Sequence, residues 1–92
     1  MIGHVQTIHG QVVDPQGNPV TEAAVYIAAA PVNMPDVALL TDEQGNFVIG
    51  APVTGRYEIG ARSEPWVAVE VKVEVQEGQS AVVKILFTTK QE

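Results

Sequence analysis

The sequence predicts an all-β fold, a seven-stranded antiparallel Greek-key β-sandwich, and three observations lead there. The stretch 41–50, TDEQGNFVIG, has the form of a strand end, a tight turn and a strand start. In it Asp42 can accept backbone N–H bonds, Gly45 supplies positive φ, and Phe47 and Ile49 alternate inward. The same turn stands 28 residues earlier, where VDPQGNPV at 13–20 matches TDEQGNFV at 41–48. Asp14/Asp42, Gln16/Gln44, Gly17/Gly45, Asn18/Asn46 and Val20/Val48 are equivalent, and both glycines are expected at positive φ. Third, WVAVEVKVEV at 66–75 alternates with a period of two, the mark of a strand with one wet face. Two copies of a turn fall short of the roughly three units a solenoid needs, so they mark turn spacing within one sandwich.

Residues 5–13 alternate over a full strand length, with Ile8, Gly10 and Val12 on one face. Gly10 inside a strand signals a bulge or a close approach. Pro15, Gly17 and Pro19 end the strand and forbid a helix. The second strand is 23–29, with Val25 and Ile27 inward and Tyr26 on the other face. Its alanines favour helix, but the run is short, contains Val-Tyr-Ile and stops at Pro31. Residues 30–36, APVNMPD, form a loop or edge crossing that carries exposed Val32 and Met34. A short strand over 37–41 leads into the central turn, and 47–50 is the fourth strand. PVTG at 52–55 turns the chain into the fifth strand, 56–62, with Tyr57, Ile59 and Ala61 on one face.

SEP at 63–65 breaks that strand, and 66–75 is the sixth. Val67, Val69, Val71, Val73 and Val75 face one way; Ala68, Glu70, Lys72 and Glu74 face the other. Gln76-Glu77-Gly78 then leads into a seventh strand over 79–87. A three-residue loop with Gly third suits a hairpin built on a type I turn and a glycine bulge. That register sets Val71 against Val83, Val69 against Ile85 and Val67 against Phe87, with Glu70 across from Lys84 on the wet face.

Composition narrows the function. The 92 residues are expected to form a single domain, 1–92, large enough to bury somewhat more than ~60% of the unfolded surface. No cysteine is present, which removes disulfides, thiolate metal sites and thiol nucleophiles. Eleven acidic against five basic residues give a net charge of −6, and Arg56, Arg62, Lys72, Lys84 and Lys90 are scattered. That balance argues against nucleic acid and against anionic membrane surfaces as partners. No apolar run approaches the ~18 residues of a membrane helix, and MIGHVQTIHG lacks the pattern of a signal peptide. The expectation is a cytoplasmic location if Met1 is the native start. It is an extracytoplasmic one if the domain was excised from a larger secreted protein.

The run IHGQVVDPQGNPVTEAAVYI, followed by TDEQGNFVIGAPVTGRYEIGAR, resembles the carboxypeptidase regulatory-like domain. Ile8, Gly10, Val12, Asp14, Gly17, Pro19, Ala23 and Val25 fill the first half of that family's pattern. Thr41, Asp42, Gly45, Phe47, Pro52, Gly55 and Tyr57 fill the second, across residues 5–62 with spacing intact. The resemblance implies a transthyretin-like sandwich. It also implies an accessory or structural module of the kind attached to secreted enzymes, receptors or adhesins. Most matched residues belong to turns and core, so the resemblance speaks for fold far more than for activity.

Chemistry is sparse. Transthyretin-like folds include a hydroxyisourate hydrolase with a His and Arg site and a tyrosine-bearing tail, whereas this chain ends FTTKQE. His4 and His9 differ by an odd number and face opposite ways on a strand, and Ser63 and Ser80 have no His-Asp framework. No catalytic residue is assigned, and the chain is read as a non-enzyme. Asp42–Asn46 lacks the alternating ligands and distal Glu of a calcium loop, so Asx turns account for both copies without metal or cofactor. A Lys–Asn cross-link of the adhesin type lacks a lysine in the first strand. The function expected is a non-enzymatic structural or protein-interaction module, with a carbohydrate-binding accessory module as the second reading. Trp66 and Tyr26 lie outside the core stripes; Trp66 is expected as a lid over the sandwich end. Val32, Met34, Trp66, Val82 and Leu86 form the candidate surface, for a protein partner or a second copy of the chain.

Overall fold

The computed structural model, which describes residues 6–34 and 38–91, holds seven strands. They are β1 (Gln6–Val13), β2 (Ala24–Ala29), β3 (Leu39–Leu40), β4 (Asn46–Ala51), β5 (Gly55–Arg62), β6 (Val69–Val75) and β7 (Ala81–Leu86). Sheet A has the order β4-β1-β7 and sheet B the order β3-β2-β5-β6. The expected sandwich forms, with one departure from a purely antiparallel design, since β7 runs parallel to β1. Val5 and Val37, the expected starts of the first and third strands, lie outside the described residues.

Alternation decides the core. Tyr57, Ile59 and Ala61 on β5 are completely buried, as are Ile8 and Val12 on β1, and Phe47 and Ile49 on β4, beside β1 in the same sheet, turn into the same core. Gly10 pairs with Phe47 across β1 and β4, and the place a Cβ would take at Gly10 is filled by the Phe47 ring. The glycine is a close-approach site without a bulge; the register shift in the sheets falls on β2, between Ile27 and Ala29. Tyr57 also fixes the preceding turn, its hydroxyl donating to Val53 O at 2.7 Å.

The two related turns fold alike. Asp14 Oδ1 accepts from the N–H groups of Gln16 and Asn18 at 3.0 and 2.9 Å, and Asp42 Oδ1 from those of Gln44 and Asn46 at 2.9 and 2.8 Å. Gly17 and Gly45 take φ of 88° and 76°, as expected. Their surroundings differ. A Cβ at Gly17 would meet nothing within 4 Å, whereas one at Gly45 would lie 2.6 Å from Val12 O. Gly17→Ala is therefore expected to cost about 1 kcal/mol, the left-handed penalty alone. Gly45→Ala should cost about twice that or more, because Val12 O also accepts from Val20 N–H and cannot retreat freely. Urea denaturation of the two variants makes the comparison.

The expected hairpin between the last two strands does not form. β6 is an edge of sheet B, while β7 is an edge of sheet A, in register with β1 from Ile8–Ala81 to Val13–Leu86. The Gly78 turn is present, with φ of 73° and Gln79 N–H donating to Gln76 O at 3.2 Å, but it carries the chain across the sandwich. Burial favours the crossing. The valine row of β6 then faces the inner row of β7 through the core, and β7 satisfies the second edge of β1. In place of the expected pairs, Val71 lies opposite Ile59, Val69 opposite Ala61 and Glu70 opposite Gly60, while Lys84 lies opposite Gln11. Glu70 and Lys84 thus occupy different sheets. Val67 is 40% exposed, because the regular strand begins only at Val69.

Candidate functional site

Three surfaces carry the side chains a partner could meet. On the outer face of sheet A, the register sets Val48, His9 and Val82 in one row across β4, β1 and β7. Gln11 lies between Asn46 and Lys84 in the next row, and Leu86 lies beside Val13 beyond it. Val82 is 82% exposed, Val48 53% and Leu86 45%. No carboxylate stands among the described outward residues of these three strands, although the chain carries a net charge of −6. Thr7 Oγ1 lies 2.9 Å from His9 Nε2 and 3.1 Å from Ser80 Oγ, so Ser80 reaches the imidazole only through the Thr7 hydroxyl. A serine nucleophile needs its base in direct contact. His4 lies outside the described residues.

At the β3–β4 side of the sandwich, Met34 lines a groove of about 230 Å³ with Val25, Ile27, Leu39 and Ile49. Met34 is half-buried there, while Val32 stays exposed. The two residues, adjacent in the sequence argument, therefore behave differently.

Where β5 ends, Trp66 closes the sandwich. Its ring stacks on buried Phe87 with centroids 6.2 Å apart and planes within 9°. The C-terminal stretch returns beside it: Val67 N–H donates to Thr89 O at 2.8 Å and Gln91 N–H to Pro65 O at 2.6 Å. Beside Trp66 opens a cleft of about 430 Å³ lined by Glu22, Arg62, Ser63, Glu64 and Gln91. The Arg62 guanidinium sits 5.6 Å from the Tyr26 ring centroid, and Tyr26 in turn covers Gly60. Farther along β5 and β6 the outer face of sheet B is a charge ladder, with Glu58 opposite Lys72 and an Arg56–Glu74 ion pair at 3.8 Å, while β3 presents Leu40, 63% exposed, at the other edge.

The candidate residues thus separate. Val82 and Leu86 share one face; Val32 and Met34 sit at a sheet edge; Trp66 belongs to a third place. Missing from the sequence argument were Val48 and His9, which join Val82 only through the β1 pairings. Glu22 and Arg62 were also missed. The one signal for Arg62 was its odd spacing from Tyr57, which sets it on the wet face of β5.

Fold and turns together define a transthyretin-like β-sandwich module. The chain belongs to the carboxypeptidase regulatory-like domain family, whose model matches residues 7–88. That family is a class of non-catalytic modules. No curated protein is a significant sequence match. Among solved structures, the Bacillus anthracis TIE protein matches at 16% identity and a TM-score of 0.72, over 92% of this chain and 16% of that one. GBS52, the minor pilin of Streptococcus agalactiae, matches at 14% identity and 0.73, over 100% and 48%. Catechol 1,2-dioxygenase from Acinetobacter sp. ADP1 matches at 12% identity and 0.73, over 97% and 54%. The chain spans about half or less of each of these proteins, and the likeness is one of fold.

Proposed function

We propose that the chain is a single, non-enzymatic accessory module that meets a second copy of itself through the outer face of sheet A. The carrying observation is the Val48–His9–Val82 row, with exposed Leu86 on the same face beyond Gln11 and Lys84 and no carboxylate among the described outward residues of β1, β4 and β7, on a molecule of net charge −6. Two acidic copies approach with least repulsion where neither presents a carboxylate. Exposed apolar side chains grouped on one face mark association sites. The face is small. Six residues by three strands is roughly 20 by 14 Å, below the ~800 Å² per partner of a standard interface. The contact is therefore weak and concentration-dependent.

The family supports the non-enzymatic reading, and the indirect Ser80–Thr7–His9 chain agrees with it. An extracytoplasmic setting belongs to the same proposal, supported by the likeness to a minor pilin. Sedimentation of the purified chain should show a dimer that grows with concentration. Val82→Lys, at an 82% exposed position, should abolish it while leaving the melting temperature in place. A strict monomer at millimolar concentration, or a dimer indifferent to Val82→Lys, would overturn the assignment. Carbohydrate binding is the second reading, and the cleft beside Trp66 is the observation that favours it.

A further inference from the structure

We propose that the cleft beside Trp66 binds one neutral pyranose ring of a glycan; this rests on the carbohydrate reading and is independent of self-association. The cleft's volume of about 430 Å³ lies within the range of small-molecule sites. The Trp66 indole that lines it is held in place before any ligand arrives. Stacking on Phe87 fixes the indole, and the bonds from Trp66 N–H to Ser63 O and from Val67 N–H to Thr89 O hold the backbone that carries it; the indole makes no side-chain hydrogen bond among the described residues. Its N–H and ring surface remain for a ligand.

Of the polar groups around it, Arg62 is placed by an aromatic contact and Glu22 by its backbone. Arg62 lies against the Tyr26 ring and forms no ion pair among the described residues, although two carboxylates line the same cleft. Its planar guanidinium is thereby oriented with donors unspent. Glu22 takes φ of 58°, rare for a residue with a Cβ, and is held by its N–H bond to Thr41 O at 3.1 Å. Thr41 itself is anchored through Oγ1 to Val20 O and Ala23 N–H.

Charge selects the ligand. One guanidinium and two carboxylates leave a net −1 in the cleft. An anion meets Glu22 and Glu64, a cation meets Arg62, and neither finds a complementary field. A neutral polyol uses both kinds of group, its hydroxyls donating to the carboxylates and accepting from the guanidinium. A pyranose also offers a C–H face that packs on the indole. Ser63 and Gln91 supply further polar partners at the rim.

Trp66 is the sole tryptophan of the chain, so its fluorescence reports on this cleft alone. The full chain is titrated with neutral hexasaccharides of glucose, mannose, galactose and N-acetylglucosamine, with hexagalacturonate and choline in parallel arms. The expected result is a saturable change in Trp66 emission with at least one neutral sugar and none with the charged probes. Arg62→Ala should weaken binding by about tenfold or more with an unchanged melting temperature, since the side chain is exposed. Val82→Lys, on the other sheet, should bind as the parent does, which separates failure here from failure of self-association. No saturable change with any neutral sugar up to about 10 mM would overturn the site. So would preference for hexagalacturonate or choline, or equal binding by Arg62→Ala.

Discussion

Gly10→Ala is expected to destabilise the domain by about 3 kcal/mol, the upper end of what an overpacked core costs. A Cβ at Gly10 would enter the Phe47 ring, which is 4% exposed and closed in by the core. Phe47 cannot swing outward, because the opposite face of its strand is solvent and its own face is the sandwich interior. For a domain of this size the loss is a large share of a total that runs to ~5–15 kcal/mol. Phe47→Leu alone should cost about 1–2 kcal/mol through the space it leaves. Placed together, the two changes should be less damaging than their sum by about 1–2 kcal/mol, because the new methyl enters the vacated space. Urea denaturation of the four proteins completes the cycle, and strict additivity would show that the ring does not rest on Gly10. Gly60→Ala is the control. Tyr26 covers Gly60 in the same manner, but on the outer face and half-buried, so its ring can move and the cost should stay under about 1 kcal/mol.

That contrast also shows what a sequence carries. Period two told which residues of each strand face the core, and Ile8, Val12, Tyr57, Ile59 and Ala61 are all buried as it required. Turn chemistry placed Gly17 and Gly45 at positive φ, because Asp and Gly at fixed offsets admit few backbone paths. Period two does not say which sheet a strand joins. The valines of β6 and the inner residues of β7 satisfy the same alternation side by side or face to face. The Gly78 turn serves an arch between sheets as well as a hairpin within one. What decides is long-range: β1 has a second edge to satisfy, and only the assembled core reveals it.

The candidate surfaces were partly legible for the same reason. Val82 and Leu86 are two and six residues past Ser80 on one strand, so their shared face followed from alternation. Val48 and His9 reached that face through pairing with β1, which no local pattern encodes. The cleft beside Trp66 was the least legible, since Glu22, Arg62 and Gln91 come from three separate stretches. Only the corner that Thr41 builds brings Glu22 to it.

Thr41→Val is expected to cost about 3 kcal/mol, although it exchanges a hydroxyl for a methyl of nearly the same shape. Thr41 is 4% exposed, and its Oγ1 serves two backbone groups at once, donating to Val20 O at 2.6 Å and accepting from Ala23 N–H at 2.9 Å. Ala23 is completely buried, so its amide has no water to turn to when the oxygen is gone. A buried group left without its partner costs ~1–3 kcal/mol; the Ala23 amide is one, and the half-buried Val20 carbonyl loses its bond to the same atom. Thr41→Ser keeps the oxygen and loses a methyl, for a cost of about 1 kcal/mol. The order Thr41→Val well below Thr41→Ser in urea midpoint is therefore the discriminating measurement. Equal losses would show that the hydroxyl contributes nothing beyond packing. The same corner holds Glu22 at φ 58°, so a Thr41→Val protein that still folds should also bind the neutral sugar more weakly at the Trp66 cleft. Unchanged Trp66 titrations in that variant would separate the stability of the corner from the geometry of the cleft.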